Sequence, residues 1–234
     1  MGTVICEKCG DEGYTIVNRD GTDFLTYCDC GIKKYNAAIL SKIIEKIPAL
    51  VRKNLSFKQV DGIFKYTNDF KPRPDQESVC AALKNKCWIS GETRKGKSHI
   101  VAERVISLAR VAKKILRIEW MEAKDFDNLI MMQYGENSDK YEYNKMKLRM
   151  AELDILILND FDKIGKDVNK KFSVFKSTEI KDFCDNVFPE IPVFIVTANS
   201  TMENFMNTFA DQEVAKTIWS RFVSDLTPEE IIFK

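Results

Sequence analysis

The chain lacks any excess of charge of one sign. Its 36 Lys and Arg residues nearly balance its 35 Asp and Glu residues, which leaves a formal net charge of +1 over 234 residues. A near-neutral balance gives no overall field that would draw the protein onto nucleic acid or an anionic membrane. Any contact with nucleic acid must therefore come from a local patch.

The sequence also lacks long hydrophobic runs, internal repeats and low-complexity stretches. No segment approaches the roughly 18 uninterrupted apolar residues of a membrane span, and the first residues lack the charged start and apolar run of a secretion signal. The hydrophobic content of 44% is ordinary for a folded protein. We therefore expect a cytoplasmic protein without membrane contacts, built from one well-buried domain and a small appendage.

The most informative motif has the pattern Gly-x-x-x-x-Gly-Lys-Ser and covers residues 91–98. An apolar run at residues 87–90 precedes it, and apolar residues at helical spacing follow it. Between a strand and a helix, such a loop surrounds phosphate oxygens with backbone N–H groups and the positive end of the helix dipole. Lys97 would then reach the β- and γ-phosphates, and Ser98 would bind Mg²⁺. The motif predicts a nucleotide triphosphate site, for which we expect ATP or ADP as the cofactor, and its alternative is a chance match in a loop.

A second apolar run supplies the acidic partner that a phosphate loop needs for Mg²⁺ and the attacking water. Residues 153–158 predict a buried strand, and Asn159 and Asp160 would emerge at its carboxyl end. In ATPases with two acidic residues here, the first assists Mg²⁺ through water and the second activates the nucleophile. Asn159 brings no charge, which leaves Asp160 for the metal, the water or both, so we expect slow hydrolysis. Asp162 offers another register two residues further on.

Two further positions complete the predicted site. Residues 193–197 predict a third buried strand whose polar end could present Asn199 to the γ-phosphate or the attacking water, although Asn199 could equally be a turn residue. Arg221 lies between aromatic residues on a late predicted helix. There it could reach the nucleotide of a neighbouring subunit as an arginine finger, or form a surface salt bridge. The predicted catalytic residues are Lys97, Asp160, Asn199 and Arg221.

Four of the seven cysteines lie within the first thirty residues, as Cys6-x-x-Cys9 and Cys28-x-Cys30. In a cytoplasmic chain such pairs favour a metal site over disulfides, because thiolates two or three residues apart can bind one tetrahedral ion. Residues 13–17 and 23–27 flank an Asp-Gly turn and predict a hairpin that brings the pairs together. We therefore predict a zinc site that supplies much of the folding energy of this lobe. The alternative is four free thiols in a loop.

The remainder of the chain alternates between helical and strand-like segments, as is typical of a parallel sheet covered by helices. The predicted helices cover residues 37–47, 76–84, 98–113, 123–132, 143–150 and 177–187, with a last one ending near 226. Further strands are predicted at 115–120 and 230–233. We therefore predict an α/β fold in three parts: a four-cysteine zinc-binding lobe (1–34), a helical linker (35–74) and a P-loop domain with a parallel sheet flanked by helices (75–234).

This order of parts resembles the bacterial DnaC/DnaI helicase loaders, including their phage versions, within the AAA+ ATPases. The lobe reads Cys-x-x-Cys-Gly-Asp-x-Gly-Tyr and ends in Tyr-Cys-x-Cys, which is similar to the zinc module of these loaders. The similarity extends to Ile47-Pro48 followed by Phe57, to His99, to Asn199 at the sensor position and to Ser220-Arg221-Phe222. The departures from the family pattern are Arg94, Lys95 and Asn159.

The resemblance implies an AAA+ protein that grips a replicative hexameric helicase through its N-terminal lobe and helps to place it on single-stranded DNA. It implies a weak ATPase in which ATP acts as a switch, with self-association in the presence of ATP or on the helicase. Mg²⁺ would be bound at Ser98 and Asp160. The nucleotide would contact Gly91, Glu92, Thr93, Arg94, Lys95, Gly96, Lys97, Ser98, His99 and Asn159.

A basic segment with interleaved aromatic residues predicts where such a loader would contact DNA, because it can bind phosphates and stack bases. A solvated helix face is the alternative interpretation. The residues concerned are Lys140, Tyr141, Tyr143, Lys145, Lys147 and Arg149.

Three other functions stay open at this point. A DNA-binding ATPase that helps transposition belongs to the same ATPase branch, but the cysteine lobe argues against it. An interaction protein that captures a helicase and binds nucleotide with little turnover is favoured by Asn159. A zinc-ribbon DNA binder with an incidental P-loop would show no nucleotide binding.

Overall fold

The computed structural model describes most of the chain. The described residues are 6–67, 70–165, 172–209, 211–220 and 229–233. The chain divides into two units, the first made of Met1–Phe70 with Ala102–Leu116 and the second of Lys71–Val101 with Arg117–Lys234. The predicted domain limits at residues 34 and 74 stay a prediction.

In the first unit, an Asp-Gly turn joins strand β1 (Tyr14–Arg19) to strand β2 (Thr22–Tyr27). Asp20 and Gly21 have φ values of 52° and 78°, as a two-residue turn between twisted antiparallel strands requires. The first residue of β1 pairs with the last residue of β2. The predicted hairpin is confirmed, and it brings the segments that carry the cysteines side by side.

Helix α1 (Asp29–Lys46) begins directly after Cys28, earlier than the predicted residue 37. Gly31 and several polar residues occupy its first two turns, so the helical pattern of apolar residues becomes visible only later in the helix. The apolar face of the later turns is buried and includes Leu40, Ile43 and Ile44.

A second hairpin in the first unit was not predicted. After a short helix α2 (Ala49–Arg52), strands β3 (Phe57–Val60) and β4 (Ile63–Tyr66) pair antiparallel. Their turn is again Asp-Gly, formed by Asp61 and Gly62 with φ values of 54° and 80°. The same Asp-Gly signal that predicts the first hairpin also indicates this one.

Helices and strands alternate in the rest of the chain, as the sequence predicts. In chain order they are α3 (Pro74–Ala82), β5 (Lys86–Gly91), α4 (Lys97–Val111), β6 (Ile118–Glu122), α5 (Ala123–Met132), α6 (Asn137–Ala151), β7 (Ile155–Asn159), α7 (Val174–Asn186), β8 (Val193–Thr197), α8 (Met202–Met206), α9 (Gln212–Ser220) and β9 (Glu229–Phe233).

The second unit contains a five-stranded sheet with the order β6-β7-β8-β5-β9, in which each neighbouring pair is parallel. Every residue of β7 and β8 is buried, which explains why both read as continuous apolar runs in the sequence. Because parallel strands end on the same edge, the carboxyl ends of β5, β7 and β8 lie together there. That edge is where a parallel sheet binds ligands.

An aromatic cluster fills the core of the second unit. Its rings pack in tilted and edge-to-face contacts, for example Trp88 with Phe205 at 5.1 Å and Phe126 with Phe183 at 5.0 Å between ring centroids. All four are fully buried. Each ring of this kind contributes on the order of 1.5–3 kcal/mol by burial, so the sheet edge that carries the polar residues has a rigid support.

Capping residues set the limits of two helices that the sequence placed too late. Helix α6 begins at Asn137 rather than Tyr143, because the N–H of Glu136 donates to the Asp139 carboxylate at 3.2 Å. Helix α7 begins at Val174, where the Ser173 hydroxyl accepts the N–H of Lys176. The first turn of α6 is polar, so the apolar period alone does not reveal its start. The predicted end of the last helix near residue 226 lies outside the described residues.

Candidate functional site

The phosphate-loop motif forms a loop between β5 and α4. Gly91 and Gly96 have φ values of 145° and 101°, which favour glycine at both positions. Arg94 has a φ of 70°, in the left-handed region where glycine is also favoured. The start of α3 supports the loop, since a guanidinium N–H of Arg73 donates to the Lys95 carbonyl at 3.0 Å. The loop leads into the N-terminus of α4, whose dipole favours an anion there.

Lys97 is 5% exposed, and its side chain contacts residues at the ends of two strands. Its ammonium group donates to the carbonyls of Gly91 at 2.7 Å and Glu92 at 2.9 Å, and to the Asn199 side-chain oxygen at 3.1 Å. Burial lowers the pKa of Lys97 from its ordinary value, and the carboxylates of Asp160 and Asp162 act in the opposite direction. The lysine and Asn199 therefore lie at one point, at the ends of β5 and β8.

Ser98 contacts the end of β7. Its hydroxyl donates to the side-chain oxygen of Asn159 at 2.9 Å, and the Thr197 hydroxyl donates to the same oxygen at 2.8 Å. The Asn159 amide nitrogen donates to both carboxylate oxygens of Glu122, at 3.1 and 2.9 Å. Asn159 is 3% exposed, and both ends of its side chain have partners. The network fixes the amide orientation, because only the oxygen can accept the two hydroxyls.

Asp160 and Asp162 lie just beyond β7. Asp160 has a φ of 53°, its N–H donates to the Thr197 hydroxyl at 3.0 Å, and its carboxylate forms an ion pair with Lys163. The Asp162 carboxylate accepts the N–H of Asn199 at 3.0 Å. Both carboxylates therefore lie near Lys97, and Asp162 holds the backbone at the end of β8.

The four N-terminal cysteines converge. Their sulfur atoms all lie within 4.8 Å of one another, with Cys9, Cys28 and Cys30 separated by 2.7 to 3.2 Å. A zinc ion with Zn–S bonds of about 2.3 Å would hold tetrahedral sulfurs roughly 3.8 Å apart. The donor set therefore fits such an ion in number and type, while three of the sulfur pairs lie closer together than a bound ion would hold them. The hydrogen bond with Cys30 lowers the pKa of Cys28 to about 6, and the same contact raises the pKa of Cys30.

A close backbone contact holds the two cysteine pairs together. A Cβ at Gly31 would lie 1.8 Å from the Gly13 carbonyl oxygen, so only glycine fits at this position. The same Gly13 carbonyl accepts the N–H of Cys28 at 3.1 Å. Gly13 has a φ of 88°, which also favours glycine. The two glycines thus allow the turn after Cys9 to lie against the start of α1.

The basic segment predicted to contact DNA is only partly exposed. The structure corrects this prediction at two of its residues, Tyr143 and Lys147. Tyr143 is 2% exposed and donates to the Glu179 carboxylate at 2.5 Å, so it cannot stack a base. Lys147 forms an ion pair with Asp182 and is partly buried. Tyr141 is 67% exposed, and the Lys145 ammonium lies 5.8 Å from its ring centroid. The exposed part of the predicted DNA contact is therefore a smaller face of α6.

No protein-family profile matches the chain, and neither does any curated protein. Among solved structures, AMPPCP-bound DnaA from Aquifex aeolicus superposes with a TM-score of 0.50 and 15% identity, over 70% of this chain and 48% of DnaA. A DNA replication initiation factor superposes with a TM-score of 0.50 and 17% identity, over 71% of this chain and 48% of that one. The sheet and its helices form an AAA+ fold. The chain spans about half the length of both of these structures.

The AAA+ fold of this chain brings most of the predicted nucleotide-site residues to one sheet edge. Lys97 forms a hydrogen bond with Asn199 and Ser98 forms one with Asn159, and the Asp160 carboxylate lies near the Lys97 ammonium group. His99 lies half-buried in the first turn of α4. Arg221 lies outside the described residues. A donor lysine, a hydroxyl and a carboxylate so placed suit a triphosphate with Mg²⁺.

Glu122 is the site residue that the sequence interpretation missed. It is the last residue of β6 and pairs in register with Asn159. The predicted strand ended at residue 120, so its carboxylate was not placed at the sheet edge. A charged residue that follows an apolar strand of the same sheet is the signal that could have revealed it.

Among the residues that the structure describes, none of the helices is long and apolar enough to span a membrane.

Proposed function

We propose that this protein is an ATP-binding helicase loader, which binds a replicative hexameric helicase and assists its placement on single-stranded DNA. The observation that carries the nucleotide part is the direct contact of Lys97 with Asn199 and of Ser98 with Asn159. These contacts join the phosphate loop to the ends of two neighbouring strands. Nucleotide bound there would act on three elements of the sheet edge at once, as a switch requires.

Each residue of the site has a proposed role in binding and turnover. The backbone of residues 91–96 holds the phosphates, Lys97 contacts the β- and γ-phosphates, and Ser98 with Asp160 holds Mg²⁺. Bound Mg²⁺ would neutralise phosphate charge. Asp160 and Asn199 orient the attacking water, and Arg221 contacts the nucleotide of a neighbouring copy. Because Asn159 is uncharged, turnover is slow.

The N-terminal lobe is the proposed helicase-binding part. Its hairpin exposes large apolar side chains, with Ile16 65%, Leu25 54% and Phe24 49% exposed. Apolar side chains clustered on a small exposed hairpin support a role in protein binding. The cysteine cluster supports zinc as the ion that keeps this hairpin in one conformation, and the pattern of the lobe supports a helicase as the partner through its resemblance to the loaders.

A second candidate is a helicase-capturing protein that binds nucleotide but hardly turns it over, and Asn159 favours it. Phosphate release by the full-length protein, measured with and without single-stranded DNA and with helicase added, separates the two. The loader proposal predicts slow turnover that DNA or helicase changes severalfold. Tight nucleotide binding with no phosphate release under any of these conditions would support the capture protein instead.

A further inference from the structure

One side chain, that of Asn159, connects the Glu122 carboxylate to the proposed magnesium ligand Ser98. It accepts both contacts from the Asn159 amide nitrogen, and its Oε1 also accepts the indole N–H of Trp120 at 2.9 Å. Trp120 is 1% exposed and lies on the same strand. The carboxylate is therefore held in place by two donors, the Asn159 amide and the Trp120 indole.

Asn159 relays the effect of the Glu122 charge to Ser98, because both ends of its side-chain amide form hydrogen bonds. The oxygen accepts the Ser98 and Thr197 hydroxyls, and the nitrogen donates to Glu122. An amide that donates to a carboxylate is polarised, so its oxygen becomes a stronger acceptor. The Ser98 hydroxyl that donates to this oxygen is then oriented with its lone pairs free for a cation.

We propose that Glu122 is a positioning residue that supplies, through Asn159, the negative charge that the end of β7 lacks for Mg²⁺. The inference rests on the proposed nucleotide site. In this arrangement the anionic side chain lies on β6 and not on the adjacent strand β7, and Asn159 connects it to Ser98. Side chains that orient metal ligands in this way change metal affinity about 10- to 100-fold when they are removed.

The test compares Glu122→Gln, Asn159→Asp and the double variant Glu122→Gln/Asn159→Asp in the full-length protein. The double variant returns the charge to β7 and keeps the hydrogen bond with reversed polarity, because the glutamine amide introduced on β6 can donate to the carboxylate introduced on β7. Asn159→Asp alone places two carboxylates against each other. Glu119→Gln, which removes the same charge at the start of the same strand, is the control.

The experiment measures the affinity for a fluorescent ATP analogue at increasing Mg²⁺ concentrations. The quantity compared between variants is the Mg²⁺ concentration that gives half of the total increase in affinity. Mn²⁺ binding, measured by electron paramagnetic resonance, supports it. We expect Glu122→Gln to raise the required Mg²⁺ about tenfold or more and the double variant to restore it. An unchanged Mg²⁺ requirement in folded Glu122→Gln protein would overturn the inference and leave the nucleotide site standing. A wild-type protein that binds no ATP analogue would overturn the proposed function as well.

Discussion

At the scale of single residues, Lys97 connects sequence, structure and function most directly. The motif alone marks it as the phosphate ligand, and the fold buries it against Gly91, Glu92 and Asn199. A buried ammonium group must have acceptors, because desolvation without partners is costly. The same group can exchange these neutral acceptors for phosphate oxygens, which bind a cation more strongly.

We therefore expect Lys97→Ala to abolish measurable ATP binding, with a loss of at least about 100-fold, since charged hydrogen bonds contribute roughly 1.5–3 kcal/mol each. Titration with a fluorescent ATP analogue measures it. Lys113→Ala is the control, because it removes an exposed lysine that lies beyond the end of α4 and outside the phosphate loop. Affinity equal to that of the wild type in both variants would remove Lys97 from the site.

At the scale of elements, the sequence predicts the helices and strands whose apolar residues recur with a clear period. It does not predict the features of the fold that depend on polar residues. The limits of α5 and β8 match the predicted 123–132 and 193–197, because both are clearly bounded apolar patterns. The start of α1 was not predicted, because Gly31 and the polar residues of the first two turns interrupt the helical pattern of apolar residues. The contact of Glu122 with Asn159 could not be predicted, because it depends on which strands are neighbours and in what register.

The cysteine lobe depends on the contact between Gly13 and Gly31. Gly31→Ala should separate the two cysteine pairs, because its Cβ would lie 1.8 Å from a backbone oxygen that cannot move aside cheaply. We expect loss of bound zinc, measured by elemental analysis, and unfolding of the hairpin. Gly21→Ala is the control: it strains the β1–β2 turn, at a φ of 78°, but its Cβ contacts nothing within 4 Å. Retention of one zinc by Gly31→Ala would contradict this role.

The exposed face of α6 is the proposed DNA contact. Tyr141→Ala should weaken binding of a single-stranded oligonucleotide about tenfold, since base stacking on an aromatic ring contributes about 1–3 kcal/mol. Fluorescence anisotropy at low and moderate salt measures it. Tyr35→Ala, which removes an exposed tyrosine ring on α1, controls for the loss of an aromatic side chain elsewhere. If both variants bind DNA as the wild type does, α6 is a solvated helix face.

At the scale of the whole molecule, the two proposed tasks belong to different units. The second unit contains the AAA+ fold with the proposed nucleotide site, and the first unit contains the cysteine cluster. Cys28→Ser removes one thiolate of the cluster without touching the phosphate loop. We expect it to release zinc and weaken helicase capture, while ATP binding and the thermal unfolding of the AAA+ part stay near wild type. Normal capture by metal-free Cys28→Ser protein would remove the role assigned to the lobe.

The most direct test of the central claim is a pull-down from extract of the source cell with tagged full-length protein, in ATP or ADP, followed by mass identification. We expect recovery of a hexameric replicative helicase, in an amount that depends on the nucleotide and falls with Cys28→Ser. Recovery of a transposase, or of no replication protein in either nucleotide, would contradict it.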